Sequence, residues 1–294
     1  MRSALSIPVL VAALLLGTTA CTAGPVTRTV SPSATTGSPA ATTPPTAVPA
    51  FDHVVVVVEE NHGLAEALTM PYLAELRRTG ATFRDSHGVT HPSQPNYLAL
   101  WSGSTHKVDS DACPVDLGST PSLGSQLLAA GRTVAAYSQG LPQAGSLACD
   151  SGSYARRHNP VADFSATAGA AHNRPFSAFP SDYSTLPSVA LVVPDVDHDA
   201  HDGSLATADD WLRSELGGYA TWAASHDSLL IVTFDEQESD KPANRILTVF
   251  SGAHVRPGSY PESIDHVRVL HTVEAAFRLP PLGSSFPPIT DVWR

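Results

Sequence analysis

Cysteine is scarce in this sequence. Three occur in 294 residues, at positions 21, 113 and 149. That excludes a zinc knuckle of clustered thiolates and a small scaffold held by many disulfides. Positive charge is scarce as well, with 17 lysines and arginines against 28 acids. Arg2 and Arg28 are the only charged residues before residue 51, so residues 51–294 carry 15 basic and all 28 acidic residues. A surface of that sign disfavours nucleic acid and other polyanions as partners. The chain has neither a G-x-S-x-G elbow nor an H-E-x-x-H motif, which removes two familiar sequence routes to a serine hydrolase and a metalloprotease. Repeats at solenoid periods are also missing.

The N-terminal residues read as targeting rather than fold. "MRSALSIPVLVAALLLGTTAC" starts with Arg2, runs through an apolar stretch and ends in small residues before Cys21. Residues 1–21 are therefore an export signal, too short for a membrane span. The ending "GTTAC" resembles a bacterial lipobox, with Thr18 where leucine is usual, and predicts lipidation of Cys21. Residues 22–50 are Thr, Ser, Pro and Ala with almost no large apolar side chain. Such a segment cannot bury enough surface to fold and is expected to be a disordered tether. The expected location is the extracytoplasmic face of the cell membrane, reached through the lipid anchor alone, with ordinary secretion as the alternative. Cys113 and Cys149 then remain as a pair. In an exported protein they are expected to form a disulfide, the alternative being two separate buried thiols.

From residue 51 the pattern changes. "HVVVVVEENH" sets five valines before two acids, Asn61 and His62. A short run of β-branched residues is the signature of a strand buried on both faces. "SVALVVPD" and "SLLIVTFDE" repeat it. Helical segments lie between: one over 63–80 interrupted by Pro71, one starting near Pro95, one over "SLGSQLLAAG", one over "LATADDWLRSELGGYATWAAS", and a closing one over "VRVLHTVEAAFRL". Strands alternating with helices predict an α/β fold: a mostly parallel sheet covered on both faces. Residues 167–187 are irregular and expected to be a loop insertion near the site.

Three strands end in acids, at Glu59-Glu60, Asp195 to Asp202 and Asp235-Glu236. In a parallel sheet those ends share one edge, where ligands bind. Converging carboxylates without matching Lys or Arg imply a cation. Oxygen ligands suit Mg²⁺, Mn²⁺ or Ca²⁺, and added histidine admits Zn²⁺ or Fe. The competing reading is that the acids cap helices and face water. Between them, "THPSQPNYLALWSG" places Ser93 before a helix, where free N–H groups and the helix dipole favour phosphate. Ser93 is either a nucleophile or a simple N-cap. Asp197 and His201 are four apart, so a helical turn would put them on one face.

Taken together, "VVVEENH", "THPSQPNYLALWSG", "DVDHDAHDG", "VTFDE" and "DHVRVLHTVEAAF" resemble, in that order, the bacterial phosphoesterase family of acid phosphatases and phospholipases C, a branch of the alkaline-phosphatase-like fold. The resemblance covers residues 51–294. It implies that Glu60, Asn61, Asp235 and Glu236 bind a divalent metal together with Ser93, the nucleophile, while Glu59 is not a ligand. It implies phosphate or substrate contacts from Asn96, His198, His201 and His158, and a late histidine at His266; His201 or His266 would protonate the leaving alcohol. One departure is that Tyr97 follows Asn96, where many phospholipases of the family have arginine. Another is the lack of their long C-terminal extension. Both favour a phosphatase-like monoesterase acting on a small phosphoester or phospholipid. A phospholipase C-type diesterase, a metal-independent serine esterase and a non-catalytic binding module are the rival readings.

Overall fold

The computed structural model describes residues 47–238, 243–284 and 286–294. The export signal, Cys21 and residues 22–46 of the tether lie outside the described residues. Val54–Val58 form the centre of strand β1 (His53–Glu59), and none is more than 4% exposed. Pleating sends Val54, Val56 and Val58 into one apolar layer and Val55 and Val57 into the other. A strand with two buried faces has no reason to alternate apolar with polar, which is why the sequence reads as an unbroken valine run. Each buried valine contributes about 1.5–3 kcal/mol.

Nine further strands follow: β2 (Ala81–His87), β3 (Val134–Ser138), the short β4 (Asp150–Ser151) and β5 (Tyr154–Ala155), β6 (Asn173–Pro175), β7 (Val189–Val193), β8 (Ser228–Phe234), β9 (Arg245–Gly252) and β10 (Gly258–Asp265). The helices are α1 (Leu64–Ala67), α2 (Pro71–Thr79), α3 (Ser93–Ser102), α4 (Leu123–Ala129), α5 (Leu205–Ala223) and α6 (His266–Ala276). Eight strands make one sheet in the order β10-β2-β9-β8-β1-β7-β3-β6. Only β9 runs antiparallel to its neighbours; every other pairing in this sheet is parallel. Helices α3, α4 and α6 cover one face, and α1, α2 and α5 the other. The mostly parallel α/β architecture expected from the sequence is present.

Local differences have physical causes. The helix expected over 63–80 is two, because Pro71 opens α2 and its ring cannot continue α1. Helix α3 starts at Ser93, two residues before Pro95, which fits inside the first turn. Strand β10 was not anticipated: it is a sheet edge with Pro261 and exposed polar residues, so no apolar run marks it. Residues 167–187 are largely irregular, as expected, with one short strand, β6, among them. They pack Phe176 and Tyr183 on Trp211 and Tyr219 of α5. Cys113 and Cys149 are joined in a disulfide with their Cα atoms 5.8 Å apart.

One buried acid ties two helices together. Asp209 of α5 accepts the amides of Tyr72 at 2.7 Å and Leu73 at 3.0 Å, capping the first turn of α2 from outside. Asp209→Ala would orphan both amides and should lower stability by about 3 kcal/mol. In thermal denaturation that corresponds to a Tm drop of roughly 6–12 °C for a domain of this size. Asp209→Asn, which keeps one acceptor, should lose less; equal Tm values for Ala, Asn and wild type would contradict the capping role.

Candidate active site

All strands of the large sheet except β9 point one way, so their C-terminal ends share one edge. At that edge β1 delivers Glu59 and Glu60. The two neighbours avoid each other by alternation. Glu59 continues the face of Val55 and Val57, with both carboxyl oxygens buried and unpartnered. Burial, then the charges of Asp199 and Asp209, raise its pKa well above the usual carboxylate range. A carboxyl so placed keeps its proton and stays outside the polar cluster.

Glu60 turns to the opposite side and meets Ser93. Ser93 is the first residue of α3, is buried, and donates from Oγ to Glu60 Oε2 at 3.0 Å. Glu236 Oε1 lies 3.5 Å from the same hydroxyl. The acids following β8 are braced from β1: Asn61 N donates to Asp235 Oδ1 at 3.0 Å, while Asp235 Oδ2 is buried without a partner. So the backbone of Asn61, held at φ 22°, is what contacts the acid. His91 Nδ1 contacts Glu236 Oε2. No lysine or arginine pairs with any of these acids among the described residues.

A second group shares Glu60. His158 Nε2 lies 3.2 Å from Glu60 Oε1 without hydrogen-bond alignment, and His158 Nδ1 lies 3.1 Å from Asp199 Oδ2. One ligand atom each from Glu60, His158 and Asp199 falls within 4.8 Å of the others. Burial, then the positive charge of Arg157, holds His158 well below the usual imidazole range. A neutral imidazole donates through one nitrogen only, so its other nitrogen sets a lone pair against a carboxylate oxygen. A proton retained by Glu60 answers that lone pair in metal-free protein, and a cation between them would do so with Glu60 ionised. The buried Glu/His/Asp cluster has the donors and spacing to hold a metal ion.

The remaining predicted residues take other places. Asn96 is consumed by the turn before Ser93: Oδ1 accepts the amides of Val89 and Thr90, and Nδ2 donates to the carbonyls of Thr90 and Pro92. It shapes the loop before Ser93, and both its amide protons are engaged by backbone carbonyls. His198 is half-buried, bonded through Nδ1 to Asp195 at 2.6 Å, and touches none of the acids around Ser93. Asp197 and His201 do not share a helical turn, because Ala200 at φ 78° breaks the segment, and Asp197 bonds Ser153 instead. His201 nevertheless stands near the cluster, its ring 5.7 Å from that of His158. His266 Nε2 bonds the Asp235 carbonyl at 2.6 Å, and burial lowers its pKa. It is a neutral brace whose one proton is engaged.

Sequence reasoning missed three contributors. Tyr97 donates to Glu60 Oε1 at 2.7 Å and stacks on His158 at 5.3 Å; the residue that replaces arginine in the motif holds the shared acid. Asp199 was one of several aspartates in an acidic stretch, with nothing in the spacing to single it out. His91 was visible in "THPSQ" but had no partner until the fold supplied Glu236. The loop carrying Ser93 is also stitched to the acids. Asn244, just before β9, donates to Thr90 O at 2.9 Å and accepts from Gln237 N at 2.8 Å, and Gly88 N donates to Asn244 O. A Cβ at Gly88 would meet the Asn244 side chain at 2.6 Å and the Asp235 carbonyl at 2.8 Å.

A buried serine among buried acids at the edge of an α/β sheet can be set beside known proteins. A model of the Phosphoesterase family covers residues 63–280. The chain belongs to this family. It is 46% identical over 255 residues to a phosphatidylinositol-3-phosphatase of Mycobacterium tuberculosis, covering 84% of this chain and 85% of that protein. A phosphate-repressible acid phosphatase of Penicillium chrysogenum is 28% identical over 80% of this chain, which spans 61% of the fungal protein's length. Among solved structures, an alkaline phosphatase superfamily protein of Vibrio parahaemolyticus has TM-score 0.55 at 12% identity, covering 80% of this chain and 68% of the other. A lipoteichoic acid synthase of Listeria monocytogenes has TM-score 0.56 at 12% identity, with coverage of 79% and 74%. These show the fold. The family member described here is a hydrolase of phosphoric esters.

The acids make a clear electrostatic prediction. Burial, then the charges of Asp235 and Asp199, raise Glu60 well above the carboxylate range; burial, then Glu236, does the same to Asp235. Burial, then Asp111, raises Glu236 to about 7, and burial raises Asp199 to about 7. In metal-free protein these carboxyls keep protons that the unfolded chain would release. The stabilisation from Glu236 and Asp199 is fully present below the unfolded-state value of about 4 and is lost as pH rises through about 7, and Glu60 and Asp235 add to it in the same direction. Chelator-treated protein should therefore gain Tm as pH falls from about 8 to about 5, and added Mn²⁺ or Zn²⁺ should raise Tm most at the higher pH. Asp235→Asn should flatten the slope; a Tm that falls steadily over that range in chelated protein would contradict a cluster of protonated acids.

Proposed function

We propose that this phosphoesterase is a metal-dependent phosphomonoesterase with Ser93 as its nucleophile. The observation that carries this reading is the Ser93 hydroxyl itself. It sits at the start of a ten-residue helix, buried, with Glu60 at 3.0 Å and Glu236 at 3.5 Å. The helix end favours a phosphoryl oxygen, and the acids accept the serine proton. The donor set suits a divalent cation: Glu60, Asp235 and Glu236 with Ser93, and His158 and Asp199 on the other side of Glu60. When bound, such an ion keeps the acids ionised and draws charge from the phosphoryl oxygens.

In the proposed reaction Ser93 Oγ bonds to phosphorus as the ester P–O bond breaks, and the serine proton passes to Glu60 Oε2. Tyr97 holds the other oxygen of Glu60, so the acid keeps its aim. His201 donates a proton to the leaving alcohol. At rest its Nδ1 bonds Asp202 and its Nε2 accepts from Arg157, so in this reaction Nε2 first takes up a proton and leaves Arg157 for the departing oxygen, whereas His266 is committed to the Asp235 carbonyl. Water then attacks phosphorus, the P–Oγ bond breaks, and orthophosphate leaves. The relative named as a phosphatidylinositol-3-phosphatase, which this chain matches over 85% of its length, supports a monoester substrate and an inositol phospholipid as one candidate. The N-terminal lipobox-like sequence and the disulfide support an exported enzyme tethered to the outer face of the membrane.

Two measurements test this. Purified protein stripped of metal should regain hydrolysis of a chromogenic phosphomonoester on addition of one divalent metal, and hydrolyse the matching diester more slowly. Ser93→Ala should lose at least about 10³-fold in kcat with metal present. Metal-indifferent hydrolysis blocked by a serine-acylating reagent would indicate a serine esterase, diester preference a phospholipase-type enzyme, and no turnover a binding module. For location, Cys21→Ser should move the protein from the membrane fraction to the medium and abolish labelling by a fatty-acid analogue; unchanged fractionation and labelling would sink the anchor.

A further inference from the structure

Arg156 and Arg157 are neighbours with opposite fates. Arg156 is buried and fully engaged: it bonds Asp163 at 3.0 Å and the carbonyls of Leu147, Val115 and Ala162. Arg157 is half-buried and forms no ion pair with a carboxylate among the described residues. Its one polar contact is Nη2 to His201 Nε2 at 3.5 Å. In a chain so poor in cations, an uncommitted guanidinium beside the reacting groups is an unusual placement.

Arg157 lines a cavity of about 410 Å³ with Asp111, Cys113, Cys149, Asp150 and His201. That size falls within the range of small-molecule sites, about 300–1,000 Å³. Contacts of two lining residues place the cavity beside the reacting groups. Asp111 Oδ1 accepts the amide of Gln94, the residue after Ser93, at 2.9 Å. On the other side, His201 leads through His158 to Glu60. The disulfide forms part of the lining and links the segments carrying Asp111 and Asp150.

The lining selects a chemical class. A leaving group carrying a second phosphate would meet Arg157 but also face Asp111 and Asp150. An apolar leaving group would strip water from two carboxylates and a guanidinium and return nothing. A polyol satisfies both signs, since its hydroxyls donate to carboxylates and accept from guanidinium. Resting on the monoesterase reading above, we propose that this cavity is a leaving-group subsite for a polyhydroxylated alcohol, a sugar or cyclitol, with Arg157 and Asp111 as its specificity-determining residues.

The test compares kcat/KM for inositol 3-phosphate and a hexose 1-phosphate with that for phenyl phosphate, which has no hydroxyls to read. Wild type should favour the polyol esters. Arg157→Ala should lower the polyol-to-phenyl ratio by at least about tenfold, mostly through KM, and Asp111→Asn should lower it in the same direction. A ratio unchanged in both variants overturns the subsite. So does an equal loss on all three substrates, which would assign Arg157 to the phosphoryl group they share. If wild type hydrolyses none of them with any divalent metal, the monoesterase reading has failed. The subsite is then decided by calorimetric titration of wild type and Arg157→Ala with free inositol. Binding weakened at least tenfold in the variant supports it, and absence of binding to wild type overturns it.

Discussion

Three buried carboxylates, Glu60, Asp235 and Glu236, lie around one serine hydroxyl, and no lysine or arginine answers them among the described residues. Ionised together in a site with little water, they would repel one another strongly. Much of the surrounding structure follows from containing that cost. Tyr97 and Asn61 N satisfy single oxygens, His91 and His158 bring imidazoles alongside, and Glu59 is turned to the other face. These contacts leave open an unpartnered oxygen on Asp235 and a misaligned His158–Glu60 contact, the latter within the Glu60–His158–Asp199 group that has the spacing to hold a metal ion.

The rigidity needed to hold such groups comes from the sheet. Strands β1 and β8 are adjacent and parallel, in register from His53 with Ser228 to Glu59 with Phe234. Their acidic ends therefore emerge side by side without a loop to position them. Ser93 arrives on a helix packed into the layer formed by Val54, Val56 and Val58. Ser93 and the acids are thus anchored in one apolar core, and the short polar links between them have little freedom to drift.

How much was legible depended on whether a residue's role lay in local pattern or in long-range contact. The valine run and its echo before Asp235 announced a buried parallel strand with acids at its end, and Ser93 stood at a helix start; the structure brings Glu60, Ser93 and Glu236 together as spacing and resemblance implied. Asn96 and His198 went astray because a motif position states which residue is present, not whether its side chain faces the ligand or the backbone. Tyr97, Asp199 and His91 act through partners 37, 41 and 145 residues away, and no periodicity reports such pairings. Strand β10 was invisible for a simpler reason. An edge strand exposed on one side carries no apolar signature.

The reversed strand β9 gives the site a mechanical gauge. Because it runs against its neighbours, its first residues arrive at the edge where the others finish, and Asn244 fills the gap between the serine loop and the acid loop. Gly88 closes on it so tightly that a single methyl group would collide with Asn244 and the Asp235 carbonyl. The separation between the Ser93 hydroxyl and the acids is thus calibrated by an absent side chain, packed against the backbone of Asp235 itself. A carbon added at this one position would act as a shim, driving the loop that carries Ser93 and the loop that carries Asp235 and Glu236 apart.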